Sequence, residues 1–499
     1  MSKGYPLQQS APAVAGWRPH VAALGAAAFA GLAVAVIATT FGERSVYYLA
    51  TAALACAAAL IMLTREEPLR FVSLAMIAGL PLASALVPPG RFGLTVFDAV
   101  MLMLLIGVLW QRWAAAEKTL PLFPTRSLLL AWVLYLPCVA LSQFPSESLI
   151  ATASICGAYT FFWLMLAEQR RRDGFERLAL LFAAVLVVTA LGTFVDYAFR
   201  TNLSLRTGNL NRLTYLGFTQ IYRPGGFFQD PQAAGAFIAI LVTFLLVLTL
   251  RGRFRAPRAG AIVWLAIFMG LAALALTISR AAIIACLGVS ALALFAFNAW
   301  SAHIKVAISG LLVITVLFAA QTSRDFWLDQ LPRSFRERLL QTDEEYQDRL
   351  KVWFDTWEMF AKHPVTGIGP SSFRPYLLAT RPGVVNYYGI GSATGAGYVP
   401  DQPESGYLKI LYEGGLLGSL AALLLVGDAL RRALAVIGAR SANSDARTEC
   451  IAALAGLITL GVTFVTLFNV SEPRLSAVFA FLLAVIWHRS LERRPGGGA

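Results

Sequence analysis

Charge is what this chain has least of. Of its 499 residues, 14% are Asp, Glu, Lys or Arg, 58% are hydrophobic, and the mean hydropathy is +0.65. A soluble chain carries about 25% charged and roughly 45–50% apolar residues, so a soluble enzyme, a disordered chain and a fibrous one are excluded. Histidine is scarcer still: His20, His303 and His488 fall at expected cytoplasmic ends, which leaves only His363 for the opposite face. The cysteines Cys56, Cys138, Cys156, Cys286 and Cys450 lie inside apolar runs with no CxxC spacing. That pattern builds neither a disulfide framework nor a zinc site and reads as buried small hydrophobes. Walker A, GxSxG, HExxH, a strand-borne GxGxxG and an Asp-x-Asp metal-diphosphate motif are all missing. No internal repeat is visible. No cleaved signal peptide is expected, because the first apolar run lacks a small-residue cleavage site.

What the sequence has is apolar runs. A helix needs roughly 20 such residues to cross a bilayer. Eleven runs near that length fall within 1–320 and three within 408–488, fourteen in all, although the short runs at 127–142 and 475–488 leave twelve or thirteen open. The net charge of +13 could suggest nucleic acid, but the basic residues lie between these runs and alternate in side. One set of loops holds Arg170, Arg171, Arg172 and Arg177, then Arg251, Arg253, Arg255 and Arg258, then Arg431, Arg432, Arg440 and Arg447. The opposite short loops hold only Arg44, Arg91, Arg280 and Arg474. By the positive-inside rule both termini are cytoplasmic, and the tail 489–499 is expected to be disordered. The fold expected is therefore an all-α polytopic membrane protein. Two outer segments are too long to be connectors, at about 200–231 and 321–407, and loops of that length are normally functional or structured. In the larger one, Leu350, Trp353, Phe354, Trp357, Phe360 and Ala361 recur at helical spacing, and HPVTGIGPSSF then breaks the helix.

Chemistry concentrates where these loops meet the membrane. Arg223 precedes a glycine pair whose amides let an anion approach closely, and Asp230-Pro231 reads as a helix cap followed by Pro at the first position. Arg280 lies between two apolar runs with almost no loop, where an arginine is costly unless it snorkels, pairs or functions. Arg349 stands at the edge of the aromatic helix face. Glu404 lies where the large loop re-enters the membrane, either as a helix-terminal carboxylate or as a base, and Glu413 beside Gly414-Gly415 reads as structural. Guanidinium forks suit a diphosphate, and one carboxylate could deprotonate an acceptor hydroxyl.

In order, GGFFQDPQAAGAF, TISRAAIIA, RLKVWFDTWEMFAKHPVTGIGPSSF and ESGYLKILYEGGLLG resemble the O-antigen ligase and Wzy-type polymerase superfamily of bacterial membrane glycosyltransferases, across about residues 210–468. The resemblance implies transfer of a glycan from an undecaprenyl-diphosphate-linked oligosaccharide at the periplasmic face of the inner membrane, with no metal, nucleotide or other cofactor. It also implies that Arg223 and Arg280 bind the diphosphate, that Arg280 takes part in catalysis and that Arg349 is the loop arginine. The family usually has His-Asn nine residues before the Glu of its E-x-G element, and Glu404-Ser405 stand there in this chain. Glu404 is thus the expected base, and a Wzy-type surface polysaccharide polymerase is favoured over a ligase acting on lipid A-core. A flippase or other transporter would be expected to show mid-membrane charges or paired halves, and a non-catalytic assembly protein stays open beside it. Expected partners are the lipid-linked oligosaccharide, a glycan or lipid A-core acceptor, membrane lipid, a chain-length regulator and a flippase, and no nucleic acid.

Overall fold

In hydrocarbon every backbone polar group must be satisfied within its own segment, which leaves helices as the way to bury runs as apolar as these. The computed structural model of the chain describes residues 68–83, 96–114, 123–171, 173–200, 203, 213–216, 219–228, 230–297, 342–380, 403, 405–439, 443–467 and 472–492. The expected spans at 21–41, 46–63 and 304–320 lie outside these residues. The described helices are α1 (Pro68–Ala78), α2 (Val96–Ala114), α3 (Arg126–Ala140), α4 (Pro145–Gln169), α5 (Gly174–Phe199), α6 (Pro231–Leu250), α7 (Pro257–Thr277), α8 (Arg280–Phe297), α9 (Thr342–Lys362), α10 (Phe373–Thr380), α11 (Gly406–Gly438), α12 (Ser444–Thr463) and α13 (Pro473–Glu492). Among them α4, α5, α6, α7, α12 and α13 are long and apolar enough to cross a membrane, with shorter apolar helices at Val100–Leu109, Arg126–Ala140 and Arg280–Ala296. The chain is a helical membrane protein. One small antiparallel hairpin interrupts the helices, with β1 (Leu213–Leu216) paired to β2 (Thr219–Tyr222) so that Leu213 faces Tyr222.

The packing is centred on α6. Its sequence has no charged residue between Pro231 and Leu250, and nearly every side chain is buried between α7, α8 and α12. Phe244 sits edge-on to both Phe175 of α5 and Phe481 of α13, and Phe182 stacks on Phe481 at 4.3 Å. By contrast α7 turns Phe268 and Leu265 outward, as α8 does Ile284 and Leu287. A helix apolar on all sides is buried in protein or faces lipid, and both kinds occur here. Small residues let the central helices approach. A Cβ on Gly270 would lie 2.7 Å from the Val242 side chain, for example.

At one end Glu168, 3% exposed, takes Arg70 and Arg177, each at 3.0 Å. At the same end Glu449, fully buried, takes Arg253 at 2.8 Å and also Arg489. Arg432 bonds Asp428 at 2.8 Å and lies over the Trp487 ring. Arg177, Arg253, Arg432 and Arg489 thus gather at one end of the bundle, paired to buried carboxylates. At the other end are Arg223, Arg280 and Arg474.

Two local expectations are corrected. The run at 475–488 belongs to a 20-residue helix, Pro473–Glu492, so that part of the expected disordered tail is helical. In α9 the buried side is Val352, Asp355, Thr356 and Met359, while Phe354 and Trp357 are 72% and 57% exposed. Thr356 enters the interior because its hydroxyl donates to the Val352 carbonyl. The turn after α9 docks on α11 and fixes which side of α9 is covered. Helical spacing alone could not supply that rotation.

Candidate functional site

The hairpin delivers Arg223 directly from the end of β2, and the loop after it is gripped from two sides. Asp196, buried near the C-terminal end of α5, accepts from the Tyr222 hydroxyl through Oδ1. Its Oδ2 accepts from the Gly225 and Gly226 amides at 2.9 and 2.8 Å. Gly226 has φ +57°, and a Cβ there would lie 2.9 Å from the Thr193 amide, so the turn admits only glycine. From the opposite side comes Arg474, fully buried, which pairs with Glu472, donates to the carbonyls of Pro81 and Phe227, and lies 3.5 Å over the Phe228 ring. The glycine amides do face an anion, as their spacing suggested, but the anion is the protein's own Asp196.

Arg223 itself is 5% exposed, and its Nε donates to the Thr277 carbonyl at 3.3 Å. Thr277 ends α7. Ile278, at φ +51°, reverses the chain, and Arg280 opens α8 two residues later. Two arginines 57 positions apart in sequence therefore share one helix–helix turn. The first turn of α6 presses on it, since a Cβ on Gly235 would lie 2.7 Å from the Ser279 Cβ. Asp230 caps α6 as its sequence suggested, with Oδ1 accepting from the Gln232 amide at 2.9 Å. Burial pushes the Asp230 carboxyl above its ordinary range, against the opposing pull of that amide and of Arg223.

Glu413 belongs to a second structure at this end. Helix α11 breaks at Gly415, φ +58°, and the turn after α9 inserts into the break. The Leu416 and Leu417 amides, freed from their own helix, donate to the carbonyls of Pro364 and Val365 at 2.8 and 3.0 Å. The Ile368 and Gly369 amides donate to the carbonyls of Tyr412 and Glu413, each at 3.0 Å. Glu413 Oε1 then accepts from the Ser371 amide at 2.9 Å and from the Tyr412 hydroxyl, with Lys409 Nζ at 3.5 Å. Gln143 closes the group by donating its amide to Ile368 and bonding the His363 ring at 3.0 Å. Glu413 is thus structural, as read, and His363 lies in this interlock. Arg349 is on α9, in the helix whose C-terminal turn is docked here. Glu404 lies outside the described residues. Its neighbour Gly406 is anchored by an amide bond to the Phe464 carbonyl at 2.8 Å, at the end of α12.

Arg223 is therefore held at the turn from which Arg280 starts α8. Asp196, Glu472 and Arg474 were missed as parts of the same site. The available signal was the rarity of such residues at the ends of apolar runs. The loop groups that Asp196 and Arg474 hold lie too far away in sequence for spacing to reveal.

No curated protein matches this chain. Residues 264–423 match the family model described as O-antigen ligase. The matched segment runs from within α7 to the first half of α11 and so takes in Arg280, Arg349, Glu404 and the interlock. That segment is similar to the O-antigen ligase family, within the superfamily that the chain's motifs resemble.

Proposed function

We propose that the protein is a membrane glycosyltransferase that polymerises a surface polysaccharide from an undecaprenyl-diphosphate-linked donor at the periplasmic face, without a metal. The observation carrying this reading is that Arg223 bonds the carbonyl of Thr277, three residues before Arg280 opens the next helix within the ligase-like segment. Two arginines at one such turn suit a doubly charged leaving group set at the membrane boundary. In the reaction the acceptor hydroxyl oxygen forms a bond to the anomeric carbon of the donor. The bond from that carbon to the diphosphate oxygen breaks, and its electron pair leaves with the diphosphate. Arg223, Arg280 and Arg349 offset the growing negative charge, and Glu404 accepts the hydroxyl proton.

A ligase is the second reading, favoured by the description of the matching family model. A deletion strain separates the two. Loss of a polymerase leaves single repeat units on the carrier or the core, whereas loss of a ligase leaves full-length chains on undecaprenyl diphosphate. Glu404→Gln keeps the shape and cannot take the proton, so polymer should fall by about 10²–10⁴-fold at unchanged protein level. Unchanged polymer would remove Glu404 from the chemistry.

A further inference from the structure

Helices α3 and α11 together build a wall that faces lipid. At one end the Ser127 hydroxyl donates to Asp428 Oδ2 at 2.6 Å, and at the other the Cys138 thiol donates to the Gly414 carbonyl at 3.2 Å. Along this stretch Leu130, Val133 and Leu136 of α3 and Leu416, Leu420 and Leu423 of α11 turn outward, each between 46% and 69% exposed. On a membrane helix such a stripe is lipid contact. The wall stops where Gly415 breaks α11, and the turn after α9 docks at that rim. Its Pro364 and Val365 carbonyls take the Leu416 and Leu417 amides, while the Val365 side chain stays 55% exposed.

Helix α9 runs into this rim with three different sides. One is packed, with Val352 and Met359 in an apolar cluster with Phe373 of α10 and Tyr412 of α11. The second is apolar and open: Phe354, Trp357 and Ala361 recur at i, i+3 and i+7, and the Trp357 ring lies 5.3 Å from that of Phe360. The third is charged, where Lys362 pairs with Glu358 at 2.8 Å and both are exposed. Tryptophan is favoured at the membrane–water interface, and a helix with Trp and Phe on one side and ions on another lies along the headgroups. Tyr197 and Phe199, exposed at the end of α5 that carries Asp196, put further aromatics at this end of the bundle.

We infer that α9 is an interfacial helix, lying along the leaflet at the Arg223 end with Phe354 and Trp357 in the boundary between headgroups and acyl chains and with Glu358 and Lys362 in water. The partner of its open face is the lipid surface, continuous with the lipid-facing wall of α3 and α11. Arg349 is carried on the same helix, so the depth of α9 sets its height above the acyl chains. The inference is independent of the reaction assigned to the protein.

Nitroxide labels test it at Phe354→Cys, Trp357→Cys, Lys362→Cys and Leu423→Cys, one at a time, in the full chain with native cysteines replaced. In phosphatidylcholine nanodiscs each label reports its collisions with oxygen, which concentrates in the bilayer, and with a water-soluble nickel chelate. Labels at 354 and 357 should meet the chelate several-fold less often than the label at 362, and their oxygen access should approach that at 423. Chelate access at 354 and 357 equal to that at 362, with no glycan present, overturns the inference and leaves the aromatics open to stack on a sugar chain. Shielding of both positions from both reagents also overturns it, because protein then covers the face. Positions 354 and 357 lie on the surface and are read separately, so if one variant fails to fold the other decides.

Discussion

At the residue scale, arginine geometry matters more than arginine charge. Arg280 opens a helix at a turn already occupied by Arg223, and a planar fork can share two phosphate oxygens where an ammonium offers a point charge. Arg280→Lys should therefore lower the transfer rate by roughly 30- to 1,000-fold, the effect of removing one donor to a developing anion. Wild-type turnover in that variant would leave Arg280 as an interfacial anchor. Asp196 is the matching test of scaffolding. It holds the Tyr222 hydroxyl and two glycine amides, all donors, and Asp196→Asn would turn an NH₂ toward at least one of them. A buried donor left without its acceptor costs about 1–3 kcal/mol. The variant should show a lower melting temperature and weaker donor binding, and it should retain the rate of bound donor. Normal stability would mean that the loop is held chiefly by Arg474.

At the element scale the interlock of α9, α10 and α11 decides how the outer segment sits on the bundle. Its centre is Gly415, where a Cβ would lie 2.5 Å from the Gly367 amide and from the Val365 carbonyl, in a left-handed backbone conformation. Gly415→Ala should unseat the turn and expose 363–371 to limited proteolysis. Gly427→Ala in the same helix is the control, since its Cβ would meet nothing within 4 Å. A helical glycine replaced by alanine in open space gains roughly 0.5–1 kcal/mol, so that variant should be as resistant as the wild type or more so. Equal cleavage of both would show that the four backbone bonds at the break do not seat the turn.

At the scale of the whole molecule, the two ends of the bundle are expected to face opposite sides of the membrane. With native cysteines replaced, Glu358→Cys on the exposed side of α9 should react with a membrane-impermeant thiol reagent in intact spheroplasts. Ser444→Cys, at the end that holds Glu449, should react only after lysis. Reversed labelling would invert the orientation and move Arg223 and Arg280 to the cytoplasmic face.

The sequence alone determined the class of molecule and placed apolar runs where the described membrane-length helices lie. Apolar run length is set by the hydrocarbon it must cross, and the arginines mark one side. It also named Arg223, Arg280 and the Asp230 cap, because each breaks an apolar pattern locally. The rotation of α9 was not legible, since both of its faces carry apolar residues and only docking chooses between them. Nor was the occupant of the Gly225–Gly226 amides, because Asp196 lies some 30 positions earlier in the chain. Tertiary structure decided that Arg223 meets the turn bearing Arg280 and that the turn after α9 completes the broken ladder of α11. The physical reason is the same in both cases: a backbone carbonyl or amide accepts any partner of the right geometry, so its choice leaves no trace in residue type.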